Sequence, residues 1–292
     1  MSAFVLFLVL AAAVCHSGWN ILAHRVSGLG LPFLWWGALA STVLWVPVIP
    51  FTGGLGSGGD VVSGLAIGAV TSGVLHVVYM LVLQQGYARG RLSTVYATAR
   101  GTGPALSAIL AVLLLGERIS AVAVVGIVVI VVAVVGTGLI DPGRMPSGTR
   151  RARIDPSVLY GALTGVAIAA YTIWDAHVIR SWDLSPVAFM VGCTAVEVVL
   201  YTLALRRRGH ELVMVARAHW PRVLLFGVLS PLSYILVLTA VTMAPVALVA
   251  PVREVSVVLV SLFGALVLRE GFAARRVAAS IVVVVGVLLL AI

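Results

Sequence analysis

Ten apolar stretches, each about as long as a membrane crossing, set what this chain can fold into. A helix rising about 1.5 Å per residue needs about 20 apolar residues to cross about 30 Å of hydrocarbon. Stretches near residues 2–24, 31–50, 61–85, 92–115, 119–140, 157–179, 186–205, 220–242, 246–268 and 273–291 meet that length. The breaks between them carry turn chemistry: Leu31-Pro32, the glycine-rich run Gly53 to Gly59, Asp141-Pro142-Gly143, Asp155-Pro156 and Ala244-Pro245. Composition agrees, with 61% hydrophobic and 10% charged residues and a mean hydropathy of +1.15. A soluble domain carries about 25% charge, so a soluble enzyme, a disordered chain and a nucleic-acid-binding domain are excluded. The expected fold class is an all-α integral membrane protein.

The longest polar stretch, Asp141 to Pro156, divides the ten spans into five and five. The halves align in order. Trp19-Asn20 meets Trp174-Asp175, Pro32 meets Pro186, Tyr79 to Leu83 meets Tyr234 to Leu238, Arg100 meets Arg253, and Glu117 meets Glu270. The expected organisation is therefore a first five-span repeat over 1–140, an inter-repeat loop over 141–156 and a second repeat over 157–292. Five is odd, so the second repeat enters the membrane in the opposite sense, the inverted repeat common among secondary transporters.

The charge pattern fits that inversion. All 19 basic residues other than histidine are arginine. Odd-numbered loops hold Arg25, Arg89, Arg91, Arg144, Arg150, Arg151, Arg153, Arg206, Arg207, Arg208, Arg217, Arg222, Arg269, Arg275 and Arg276. Even-numbered loops hold only Arg118 and Arg180. Basic residues mark cytoplasmic loops, which places the odd loops inside and both termini outside a cell membrane. The absence of lysine removes a Walker A phosphate site and a Schiff base. Cys15 and Cys193 both fall inside apolar runs and read as small core residues. The first apolar run continues to Ala23 with no basic segment ahead of it, which reads as a membrane span rather than a secretion signal.

Several ordered motifs carry a family likeness. They are His16-Ser17-Gly18-Trp19-Asn20, Tyr87 to Ser93 leading to Tyr96-Ala97-Thr98-Ala99-Arg100-Gly101, and Leu114-Leu115-Gly116-Glu117-Arg118. The second half adds Ala244-Pro245, Pro251-Val252-Arg253 and Leu268-Arg269-Glu270. In these the chain resembles the drug/metabolite transporter superfamily, specifically its ten-span EamA-type members, over essentially its whole length. The resemblance implies a transporter, typically an exporter of small metabolites or amino acids, working by alternating access around a central cavity. A subset sharing the histidine-tryptophan-asparagine signature resembles proteins associated with phosphonate use. Small four-span members of the superfamily use a first-span glutamate as proton and cation site; here the first span holds no acid.

Polar residues within spans are the candidate site. An arginine at mid-membrane costs about 2.5–3.5 kcal/mol on insertion scales, so one kept there faces a cavity or a partner. Arg100 and Arg253 are repeat mates, and a guanidinium pair lining a cavity suits a carboxylate or phosphonate. The alternative is that they pair with intramembrane acids such as Glu254 or Asp175. Arg253 and Glu254 are sequence neighbours, about 100° apart on a regular helix, and so are not expected to serve one face. Asp175, Glu197 and Glu254 are candidates for a coupling proton or ion. His16 and Asn20 share a face with Trp19 beside them, Tyr171 and Asp175 repeat that spacing, and His76 and Tyr79 share another. With Tyr96 and Trp174 they form polar-aromatic stripes suited to a solvated pathway, or equally to helix packing. His16, His76 and His177 show no metal-ligand spacing, and no cofactor is expected. Gly116-Glu117 and Arg269-Glu270 are expected to end helices at the water interface, and the Val/Ile-rich spans five and ten to face lipid or each other.

The expected function is secondary transport, read as export, of a small anionic or zwitterionic metabolite, with lipids and a coupling proton or ion as further partners. The alternatives are a multidrug or lipid-linked flippase of the same superfamily, and a non-transporting membrane protein. An intramembrane enzyme would need clustered catalytic groups, and the sequence has none.

Overall fold

Apolar runs in hydrocarbon must satisfy every backbone N–H and C=O internally, and the helix does so residue by residue. The structure, a computed structural model, describes residues 1–24, 29–89, 92–139, 155–206, 208–266 and 273–291. Expectations placed on Arg25, Arg91, Arg144, Arg150, Arg151, Arg153, Arg207, Arg269 and Glu270 lie outside the described residues, as does most of the 141–156 loop. The described residues form eleven α-helices: α1 Ala3–His24, α2 Leu31–Trp45, α3 Val61–Arg89, α4 Leu92–Leu114, α5 Ala121–Leu139, α6 Pro156–Ser181, α7 Pro186–Leu205, α8 Gly209–Met243, α9 Val246–Arg253, α10 Val255–Leu266 and α11 Ala273–Ala291. The chain is an all-α membrane protein. Among the described residues six helices are long and apolar enough to cross a membrane: α1, α2 with the turn after it, α3, α6, α7 and α8. Shorter apolar helical segments cover Thr98–Leu114, Ala121–Gly136 and Ile281–Leu290.

Proline accounts for two departures from the expected spans. Span two continues past α2 as a 3-10 helix, Val46–Thr52, because Pro47 and Pro50 lack the N–H an α-helix needs. Span nine is broken: α9 carries Pro251, and at Glu254 the chain closes a tight turn, Glu254 N–H to Pro251 O at 3.0 Å, before α10 starts. Span eight is extended at its start, since α8 begins at Gly209, ten residues ahead of a kink at His219.

The helices sort into two compact units. One comprises Met1–Leu10, Val78–Ile173 and Met243–Ile292; the other comprises Ala11–Val77 and Trp174–Thr242. In the first, α5 packs on α11, and α4 on α5 and α9. Gly126 of α5 lies against Gly286, Leu289 and Leu290 of α11, and Ile130 lies against Gly286. Rising numbers meet falling ones, so the two helices run antiparallel. Their backbones approach so closely that a Cβ on Gly126 would stand 2.9 Å from Gly286 O, the small-residue contact typical of membrane helices. In the second unit α2 packs on α7. Trp35 donates to Thr202 Oγ1 at 2.7 Å and Thr42 to Thr194 Oγ1 at 2.9 Å, again antiparallel. Its interior holds Ala69, Val178, Phe189, Cys193 and Leu238 in one cluster and Phe33, Val215, Val223 and Phe226 in another.

Candidate functional site

The break in span nine builds the first constellation. A continuous helix would splay Arg253 and Glu254 apart, but the turn lets Arg253 Nη2 approach Glu254 Oε1 at 3.7 Å. That corrects the expectation that these neighbours cannot serve one face. Arg100 of α4 reaches the same Oε1 at 3.4 Å. Glu254, one of the acids weighed from sequence as a partner for Arg100, thus forms an ion pair with it. Two guanidinium groups thus share one carboxylate, with Arg100 4%, Arg253 6% and Glu254 1% exposed. Tyr96 lies under the Arg100 guanidinium, 5.3 Å from ring centroid to Cζ. Tyr171 hydrogen-bonds Arg253 and stacks edge-on against Tyr79, with centroids 5.7 Å apart. Two buried atoms have no hydrogen-bond partner, Arg253 Nε and Glu254 Oε2. One is a donor and the other an acceptor.

Glu117 supports this cluster from below. Gly116 takes a left-handed φ of +66°, the conformation glycine adopts at least cost, and ends α4. The Glu117 carboxylate then accepts the N–H groups of Val246 at 2.8 Å and Ala247 at 2.9 Å. These are the first two donors of α9, which its own N-cap, Pro245, leaves without a side-chain acceptor. The sequence reading of Glu117 as an interfacial helix end is thereby refined. It holds the N-terminus of the helix that ends in Arg253.

The second unit holds a separate set. Asp175 of α6 is completely buried and accepts the Tyr234 hydroxyl of α8. The Tyr234 ring stands edge-on to His76 of α3, with centroids 5.4 Å apart. His76 Nδ1 lies 3.2 Å from Ser72 Oγ and 2.9 Å from Ser72 O. His16, also buried, faces Ser233 at 3.5 Å and meets Trp19 edge-on at 4.9 Å, which in turn meets Phe226 at 5.4 Å. The Trp19 indole N–H is buried without an acceptor.

The remaining candidates make contacts within the same unit. The Asn20 amide donates to His16 O within its own helix. Trp174 donates to Gly68 O at 3.2 Å and packs with Trp182 in the apolar cluster. Glu197 is half-buried in α7. His177 Nδ1 pairs with Ser181. Among the described residues, no three His, Cys, Asp or Glu side chains converge as metal ligands would. Two residues that sequence reading left in the background prove central to the geometry. Tyr234 enters the sequence comparison only as the match of Tyr79, and Ser72 follows Thr71 in an apolar run, four residues before His76.

Comparison with known proteins follows this geometry. Residues 155–292 match the model of the EamA-like transporter family. No curated protein sequence matches the chain. A solved structure described only as "Crystal structure of protein" is similar in fold, with a TM-score of 0.73 at 15% identity over 99% of this chain and 96% of that one. It is one of 28 solved chains that match. The C-terminal 138 of the 292 residues are thus similar to the EamA-like transporter family, and the likeness to the solved structure, which is one of fold, spans nearly the whole chain.

Proposed function

We propose that this membrane transporter moves a small anionic or zwitterionic metabolite outward by alternating access, as a secondary transporter. The observation that carries the reading is the buried cluster of Arg100, Arg253 and Glu254, in which positive charge exceeds negative and a donor and an acceptor stand unpartnered. A buried charge without a full complement of partners is costly. A substrate carboxylate or phosphonate would complete the set by taking the Arg253 Nε–H. An ammonium on the same molecule would satisfy Glu254 Oε2. Tyr79, Tyr96 and Tyr171 would grip the body of such a solute. His16, Trp19, Asn20, His76 and Trp174 remain pathway candidates, and Asp175, Glu197 and Glu254 candidates for coupling.

We further read the architecture as ten spans in two inverted repeats, 1–140 and 157–292, in a cell membrane with odd loops cytoplasmic and both termini outside. Two observations support that reading. Helices matched between the halves run antiparallel where they meet, α2 with α7, α5 with α11 and α4 with α9. For α4 and α9, Arg100 reaches Glu254 while Glu117, farther along, reaches back to Val246. Broken helices such as α9 and α10 are where transporters of inverted-repeat design hold their substrates.

A thermal-stability screen of the detergent-purified protein tests the substrate class, with L-phenylalanine, L-glutamate, citrate, 2-aminoethylphosphonate and tetraphenylphosphonium as ligands. Binding to the native state raises the melting temperature by mass action. Stabilisation by an anion or zwitterion that disappears in Arg100→Ala and Arg253→Ala supports the reading. Stabilisation by the cation alone moves the multidrug reading ahead.

A further inference from the structure

Asp175 and Glu254 are both buried acids in apolar helices, and their surroundings are opposite. Glu254 sits among two guanidinium groups. Asp175 has no cation facing it among the described residues. The groups around it from the elements of its own unit are Ser72 and His76 of α3, Cys193 of α7 and Tyr234 of α8, with Glu197 beyond Cys193 on α7. His177, two residues along α6, turns its Nδ1 to Ser181. Of the two Asp175 oxygens, Oδ2 accepts the Tyr234 hydroxyl and Oδ1 has no hydrogen-bond partner.

A carboxylate ion taken out of water needs a counter-ion or a full set of hydrogen bonds; among the described residues no cation faces this one, and the hydroxyls of Tyr234 and Ser72 are the hydrogen-bonding groups beside it. A carboxylic acid fits the site. With a proton on Oδ1, Oδ2 is the carbonyl oxygen that accepts from Tyr234, and the nearby Ser72 hydroxyl serves as acceptor for Oδ1–H. We infer that Asp175 is a proton-carrying site, loaded and emptied through Ser72 and His76. His76 is half-buried where Asp175 is sealed, and its Nδ1 touches both Ser72 oxygens. Loading balances as a two-proton shift: imidazolium Nδ1–H breaks as Ser72 Oγ–H forms, and the original Ser72 Oγ–H breaks as Asp175 O–H forms. Imidazolium and carboxylate both become neutral. Tyr234 and Ser72 are positioning residues in this scheme.

The inference rests on the transporter reading only for the use of the proton, which is to couple substrate movement to a proton gradient. Its test needs no substrate, so the two can fail separately. The full-length protein is placed in liposomes of phosphatidylethanolamine and phosphatidylglycerol, and infrared difference spectra are recorded across a pH change. A protonated-carboxyl C=O band present at neutral pH, lost in Asp175→Asn and retained in Glu197→Gln, is the expected result. In Tyr234→Phe the band moves to higher frequency, because the carbonyl loses its hydrogen bond. In His76→Phe its hydrogen–deuterium exchange slows. Absence of the band, its survival in Asp175→Asn, or its loss at constant pH when sodium chloride replaces choline chloride overturns the inference, the last in favour of a sodium site. Where Asp175→Asn fails to fold, Tyr234→Phe decides, and an unmoved band refutes the assignment.

Discussion

The unit built on α4, α5, α9 and α11 meets its buried polar groups with ions: two arginines on one glutamate, and a second glutamate on a helix N-terminus. The unit built on α2, α7 and α8 meets them with hydrogen bonds between hydroxyls, threonine to threonine, and from a tyrosine to an aspartate that has no counter-ion among the described residues. The two tyrosines matched in the sequence alignment fall on either side of this divide: Tyr79 stands by Tyr171 near the arginines, while Tyr234 bonds Asp175. On the repeat reading proposed above, matched positions keep their place in the helices while their electrostatics diverge, as the proposed anion site and proton site would each require.

The contrast is most easily broken at its two acids. Glu254→Gln leaves two buried guanidinium groups uncompensated and is expected to cost about 3–5 kcal/mol, read as a loss of folded, monodisperse protein on gel filtration. Asp175→Asn strands no counter-ion, so its cost is expected to stay near about 1 kcal/mol; equal losses in both would erase the distinction. Glu117→Ala frees the N–H groups of Val246 and Ala247 from a charged acceptor and is expected to cost about 1.5–3 kcal/mol, measured as a lower melting temperature in detergent. Tyr234→Phe, which removes one hydroxyl, is expected to cost about 1 kcal/mol. Thr42→Val is expected to cost about 0.6 kcal/mol, the average for an interhelical hydrogen bond in a membrane protein. A Thr42→Val effect as large as that of Glu117→Ala would show that the neutral unit is not the weaker-bonded one.

The all-α membrane class was legible because hydrocarbon imposes one local rule on every span. Length and turn residues are both one-dimensional signals. What escaped was local backbone geometry. Pro251, three residues before Glu254, marks the broken helix, and regular helical spacing without that break sets Arg253 and Glu254 on different faces. Helical spacing also grouped His76 with Tyr79 and Tyr171 with Asp175, although the structure gives each its own partners: Tyr234 for His76 and Asp175, Tyr79 and Arg253 for Tyr171. Spacing fixes which face a residue shares, but not which neighbouring helix that face meets at each height. The target of Glu117 was out of reach for the same reason, since nothing in its flanks names α9.

The central claim is that the arginine cluster binds the transported solute, and counterflow in proteoliposomes tests it most directly. The compound that stabilises the protein is loaded inside, its radiolabelled form is added outside, and wild type is compared with Arg253→Ala of equal monodispersity. The account predicts accumulation of label by wild type and none by the variant. Counterflow by Arg253→Ala at the wild-type rate would contradict it.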